Sequence, residues 1–111
     1  MSLSRILTNI CSDRLGESKD FYVSLLGFEV KYDSDWYVQL CSSSNRELEF
    51  GIISRTSGLV PAQYQKAPTG MYVTFVVPDV NAVYSKAVSL GLTIIQEPKN
   101  EFYGQRRFLT V

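Results

Sequence analysis

Leu26-Gly27-Phe28-Glu29-Val30 and Leu90-Gly91-Leu92-Thr93-Ile94 carry one pattern, an apolar residue and a glycine followed by an alternating strand, about 64 residues apart. A glycine directly behind an apolar helical stripe supplies the left-handed backbone that ends a helix. Upstream of each copy stands a matching helix start, Ser12-Asp13 before the first and Pro78-Asp79 before the second, whose side-chain oxygens suit the free amides of a first turn. The first helix, about residues 17–26, puts Phe21, Leu25 and Leu26 on one stripe. The second, from about Val80, does the same with Val83, Ala87 and Leu90. Helix start, helix stop and following strand recur in one order, which reads as a duplication.

Outward from these landmarks, the first copy resolves into strands at 6–11, 28–32, 36–41 and 47–53 around the helix, with turns at Asp33-Ser34-Asp35 and Ser42 to Asn45. The second begins with a strand at 71–77 and has a late strand at about 106–111. The expected fold is therefore α+β, with two tandem βαβββ modules at 4–53 and 71–111 inside a single domain, 1–111. Module one places its fourth strand about 21 residues after Leu26, and the same count from Leu90 passes Val111. The last strand of module two is thus expected to be missing, and the natural chain to continue. The linker 54–70 holds Gly58, Pro61, Pro68 and Gly70 and is longer than most connections in a compact domain. It is either a lid over a pocket, with Tyr64 as a contact, or a plain crossover.

A chain of 111 residues that is 45% hydrophobic builds one core. Its 11 basic and 11 acidic residues cancel, and no block of like charge exceeds Arg106-Arg107, so the concentrated basic surface needed for nucleic acid or anionic membrane is missing. No apolar run approaches the roughly 18 residues that span a bilayer, and the expected location is the cytoplasm. Cys11 and Cys41 are too few for a disulfide framework and read as small buried hydrophobes. Histidine is absent, which removes Ser-His and Cys-His nucleophile pairs and His-x-x-x-His zinc sites. Catalysis would fall to carboxylates, tyrosines, lysines or the thiols.

The two βαβββ modules, the Phe21-Tyr22 pair before Leu26-Gly27-Phe28, Val77-Pro78-Asp79-Val80 before Leu90-Gly91, and the tail Gln96-Glu97-Pro98 through Tyr103-Gly104-Gln105-Arg106-Arg107-Phe108 resemble the glyoxalase, bleomycin-resistance and extradiol-dioxygenase superfamily, also called the vicinal oxygen chelate fold. The resemblance covers essentially the whole chain. It implies a mixed sheet curled around a central cavity, and usually a homodimer. It does not imply one activity, because members include metal lyases, epimerases, dioxygenases, thiol transferases and non-catalytic antibiotic-sequestering proteins.

In metal-using members, four inward ligands come from matching strands of the two modules. Carried over by the resemblance, the first falls on Ile6 or Leu7, the second on Glu49, the third on Tyr72, and the fourth lies past Val111. One ligand of four cannot hold a divalent ion, which needs about three protein ligands. No metal and no cofactor is therefore expected.

Strand alternation supplies the cavity lining. Leu48, Phe50 and Ile52 are expected beneath the helices, leaving Glu47, Glu49 and Gly51 on the other face. The same parity buries Val73, Phe75 and Val77 and turns Tyr72, Thr74 and Val76 to the cavity. It also gives Tyr37, Gln39 and Cys41 to the cavity and Trp36, Val38 and Leu40 to the core, with Trp36 alternatively lining the cavity, where tryptophans stack on planar ligands. Arg106, Phe108 and Thr110 share a face assigned to the cavity; Arg106 either anchors an anionic ligand or pairs with Glu101 or Glu97. In the first strand, polarity turns Asn9 inward while the gapless alignment turns Thr8 inward. The ligand-binding set is Asn9, Tyr37, Gln39, Glu49, Tyr72, Thr74, Arg106 and Phe108, with no catalytic residue assigned.

The expected function is metal-independent binding of a small organic ligand, similar to the antibiotic-sequestering branch, with a homodimer as the assembly and neither nucleic acid nor membrane as partner. The alternative is a glyoxalase-like lyase or dioxygenase-type enzyme using Glu49, with Tyr72 as acid, and ligands not visible in this chain. A third class is a protein with a degenerated pocket that acts through its dimer surface.

Overall fold

The computed structural model describes residues 2–111. It confirms an α+β fold with a mixed sheet and two helices. The elements run β1 (Thr8–Ser12), α1 (Leu15–Leu26), β2 (Glu29–Asp33), β3 (Tyr37–Cys41), β4 (Glu49–Ser54), a short 3-10 turn (Ala62–Tyr64), α2 (Val80–Ser89), β5 (Ile94–Asn100) and β6 (Arg106–Thr110). The chain divides into two compact units, one through Tyr72 and one from Val73 to Val111.

In the first unit the sheet order is β1-β4-β3-β2, with β1 parallel to β4 and the other neighbours antiparallel. Successive side chains alternate between its two faces. Val38 and Leu40 of β3 and Phe50 and Ile52 of β4 are buried, forming the core with Leu25 of α1. Tyr22 from α1 lies 4.7 Å from the Phe50 ring, and Phe28 stacks on Phe50 at 6.4 Å. Gly27 ends α1 at φ 70°, left-handed backbone that a side chain would strain, and its amide donates to the Val23 carbonyl. Gly91, at φ 73°, stands one residue beyond Leu90, the cap of α2.

Two residues expected in this core lie outside it. Leu48 is 59% exposed because β4 begins only at Glu49, and Trp36 is exposed because it sits in the turn before β3, its ring 5.5 Å from that of Tyr37. The sheet is also open, where a curl around a cavity was expected.

The connection 54–70 is anchored along the first unit. Arg55 pairs with Asp13 and donates to the Gln65 carbonyl at 3.2 Å, the Gln65 amide reaches back to the Ser57 and Val60 carbonyls, and Val60 is buried. Tyr64 is exposed, and its carbonyl faces the Cys11 thiol at 3.8 Å.

In the second unit the Asp79 carboxylate accepts from the Ala82 amide at 3.1 Å and caps α2, as its position in the repeat predicts. Ala87 is fully buried, and β5 and β6 form an antiparallel pair. The register slips between Gln96 and Lys99, around Pro98, which has no amide to give a ladder. The strand expected at 71–77 does not form. Its alternation survives, with Val73, Phe75 and Val77 half-buried and Tyr72, Thr74 and Val76 exposed, but the ladder is missing. In the first unit, β1 is a strand because β4 pairs with it. Among the described residues of the second unit no counterpart of β4 exists, so the backbone groups of 71–77 find no sheet partner.

Candidate functional site on the open sheet face

The face of the four-stranded sheet opposite its helix carries the polar parity. Across it, Asn9 of β1, Gly51 of β4, Gln39 of β3 and Tyr32 of β2 stand opposite one another in one row. Glycine is required in the middle of that row. A Cβ on Gly51 would stand 2.1 Å from Asn9 Oδ1 and 2.6 Å from the Tyr37 hydroxyl, well inside van der Waals contact. Through the space it leaves, the Tyr37 hydroxyl donates to Asn9 Oδ1 at 3.1 Å. Of the two ways to turn β1, the structure takes the one that puts Asn9 on this face. The rings of Tyr32 and Trp36 stand 6.3 and 5.5 Å from Tyr37, forming an aromatic wall.

Glu49 stands two residues before Gly51, the neighbouring position on this face of β4. Its side chain is 5% exposed, and its carboxylate accepts four donors: Arg5 Nε at 2.5 Å, Arg5 Nη2 at 2.7 Å, Lys31 Nζ at 2.9 Å and Gln39 Nε2 at 2.7 Å. The Arg5 guanidinium, followed by the Lys31 ammonium, holds the Glu49 carboxyl down to about 2, against the opposing effect of desolvation. Glu49 in turn raises Arg5, chiefly through their hydrogen bond. Burial raises the Tyr37 phenol, opposed by the charge of Arg5 and assisted by that of Glu49. Beside the cluster lies an open concavity of about 830 Å³, whose lining includes Arg5, Lys31, Gln39, Arg46, Glu47 and Glu49.

Of the residues singled out in the sequence, Asn9, Tyr37, Gln39 and Glu49 are thus brought together. Tyr72 is 73% exposed in the segment without a ladder, and Thr74 is exposed in the same segment. In the second unit, Arg106 takes neither proposed carboxylate; it donates to Asn81 Oδ1 at 3.0 Å and Asn100 Oδ1 at 3.1 Å, while Arg107 pairs with Glu101. Phe108 packs edge-on against Tyr84 of α2 at 5.4 Å, so the Arg106–Phe108 parity of β6 lies toward that helix. Arg5 and Lys31 escaped sequence reasoning. Arg5 had no signal, because it lies three residues before β1, where strand parity no longer governs direction. Lys31 had none, because a register irregularity between Val30 and Tyr32 breaks the parity of β2.

This donor set does not fit a divalent ion. The one carboxylate at a family ligand position is paired with two cations that would repel a metal, and among the described residues no three His, Cys, Asp or Glu side chains cluster. Glu49 is equally unsuited as a general base, because a carboxylate held near 2 has little affinity for a substrate proton at neutral pH.

The profile of the Glyoxalase/Bleomycin resistance protein/Dioxygenase superfamily matches residues 4–110. The chain belongs to that superfamily. Solved structures of the glyoxalase type agree in fold. A superfamily member from Sphaerobacter thermophilus DSM 20745 is 18% identical, with a TM-score of 0.79 over 98% of this chain and 88% of that one. A lactoylglutathione lyase from Agrobacterium tumefaciens is 15% identical, with a TM-score of 0.69 over 96% and 84%. TioX from Micromonospora sp. ML1 is 15% identical, with a TM-score of 0.67 over 97% and 89%. Among curated protein sequences none matches the chain. No helix among the described residues is long and apolar enough to cross a membrane.

Proposed function

We propose that the chain is a metal-independent small-molecule-binding protein of the glyoxalase/bleomycin-resistance type, holding an organic ligand against the open sheet face of its first unit. One observation carries this reading: Glu49, where the superfamily resemblance puts a metal ligand, is spent on Arg5, Lys31 and Gln39. What the face offers instead is an aromatic wall around Tyr37 and fixed polar groups at Asn9 and Gln39, the mixture that orients a small ligand without chemistry. A homodimer in the cytoplasm is the working assembly and location, taken from the superfamily resemblance and from the sequence composition. Neither nucleic acid nor membrane is a proposed partner, given the balanced charge.

A thermal-shift screen of small organic compounds, run with and without a chelator, tests the reading. Hits are expected to raise Tm by mass action, equally in both conditions, and to perturb the amides of Gln39 and Gly51 in a ¹H–¹⁵N spectrum. Stabilisation that needs a divalent ion, or hits that map only elsewhere, would refute it.

A further inference from the structure

The charged hydrogen-bonding capacity left over around Glu49 is mainly donor capacity. Glu49 accepts four donors, three on Oε1 and one on Oε2, so at most one lone pair, on a side chain 5% exposed, is left for a ligand. Its partners are in the opposite condition. Arg5 has spent its Nε–H and one Nη2 hydrogen, leaving three N–H groups; Lys31 has spent one of three; Gln39 Nε2 has one left. The Arg5 and Lys31 side chains are 54% and 39% exposed, so these donors are reachable from the concavity they line. Charge agrees with donor count. Within the cluster Arg5 and Lys31 outnumber Glu49 by one, while Arg46 is neutralised by Glu29 at 2.9 Å and Glu47 is exposed to solvent.

Resting on the proposed binding role of this face, the geometry points to a small organic acid as its ligand, with carboxylate or phosphate oxygens on Arg5 and Lys31 and a planar body toward Tyr37 and Tyr32. Glu49 is then a positioning residue: its carboxylate holds the guanidinium and ammonium side by side, and both keep donors turned outward. The planar guanidinium gives an oxyanion two parallel bonds, and the ammonium adds a point charge.

Four fragments with one ring and different heads test this: benzoate, phenyl phosphate, benzamide and benzylamine, each titrated into the ¹⁵N-labelled full chain. Benzoate or phenyl phosphate should shift Gln39, Gly51 and Tyr37, and the stronger of the two identifies the headgroup. Benzamide and benzylamine should bind this face at least about tenfold more weakly, a difference the charge-assisted bonds supply. Arg5→Gln and Lys31→Met should each weaken the acid about tenfold or abolish its binding, while Arg14→Gln, in an exposed pair with Glu17, should leave it unchanged. Dispersed spectra establish that each variant is folded, and Arg5→Lys should recover part of the affinity. Equal binding of the amide or the amine at this face overturns the acid while leaving the binding face in place. No shift at this face with any fragment overturns both. Acid binding that survives both Arg5→Gln and Lys31→Met overturns the assignment of the residues.

Discussion

Replacing Glu49 with Gln should flatten the acid limb of this protein's stability. The ordinary glutamate value is 4.5, and the folded-state value is about 2. A depressed carboxylate stabilises the fold fully above its unfolded value and loses that contribution as pH falls through the folded one, so the window runs from about 4.5 down to about 2. At about pH 3.2, midway, the unfolded residue is about 95% protonated and the folded one about 6%. Unfolding there takes up about 0.9 proton at this residue, close to the largest slope a single group can contribute. Urea unfolding of the wild-type chain and of Glu49→Gln, at closely spaced pH values and constant ionic strength, gives the two curves of unfolding free energy against pH. Their slopes should differ by about 0.9 proton near pH 3.2 and coincide above about pH 6. Glu101, also lowered by its hydrogen bonds with Gln96 and Arg107, contributes to both curves and cancels. Parallel curves throughout would refute the reasoning, and with it the view that Arg5 and Lys31 command this carboxylate.

Leu40→Ala removes a fully buried side chain between the β-sheet and its helix and should cost about 2–5 kcal/mol in chemical unfolding. Asp79→Ala removes the cap on the Ala82 amide and should cost about 1 kcal/mol, with hydrogen exchange accelerated in the first turn of α2. Gly51→Ala forces Asn9 and Tyr37 apart and should destabilise the fold by about 1–3 kcal/mol, while shifting the Asn9 side-chain amide in a ¹⁵N spectrum.

Superfamily membership and helix positions were legible in the chain, because they rest on local signals: a glycine after each apolar stripe, Asp79 before a helix, and alternation in β3 and β4. Alternation also placed Gln39 and Glu49 on one face, and Val73, Phe75 and Val77 on the more buried side of their segment. Trp36 and Leu48 broke the same rule because each lies one residue outside its strand, where parity no longer governs direction.

What the sequence by itself determined is therefore where the two helices lie and which parity β3 and β4 present, properties set by neighbours a few positions away. Tertiary structure alone decided three further things. The segment 71–77 is not a strand, since a strand exists only through a partner and none is paired with it. Gly51 is needed where Asn9 and Tyr37 meet, since that contact joins residues 28 apart in sequence. Glu49 became the centre of an ion cluster because pairing of β1 with β4, and the irregularity in β2, carried Arg5 and Lys31 to it across separations of 44 and 18 residues. A carboxylate's chemistry is set by the charges within a few ångströms of it, and strand pairing across the sheet determines which charges those are.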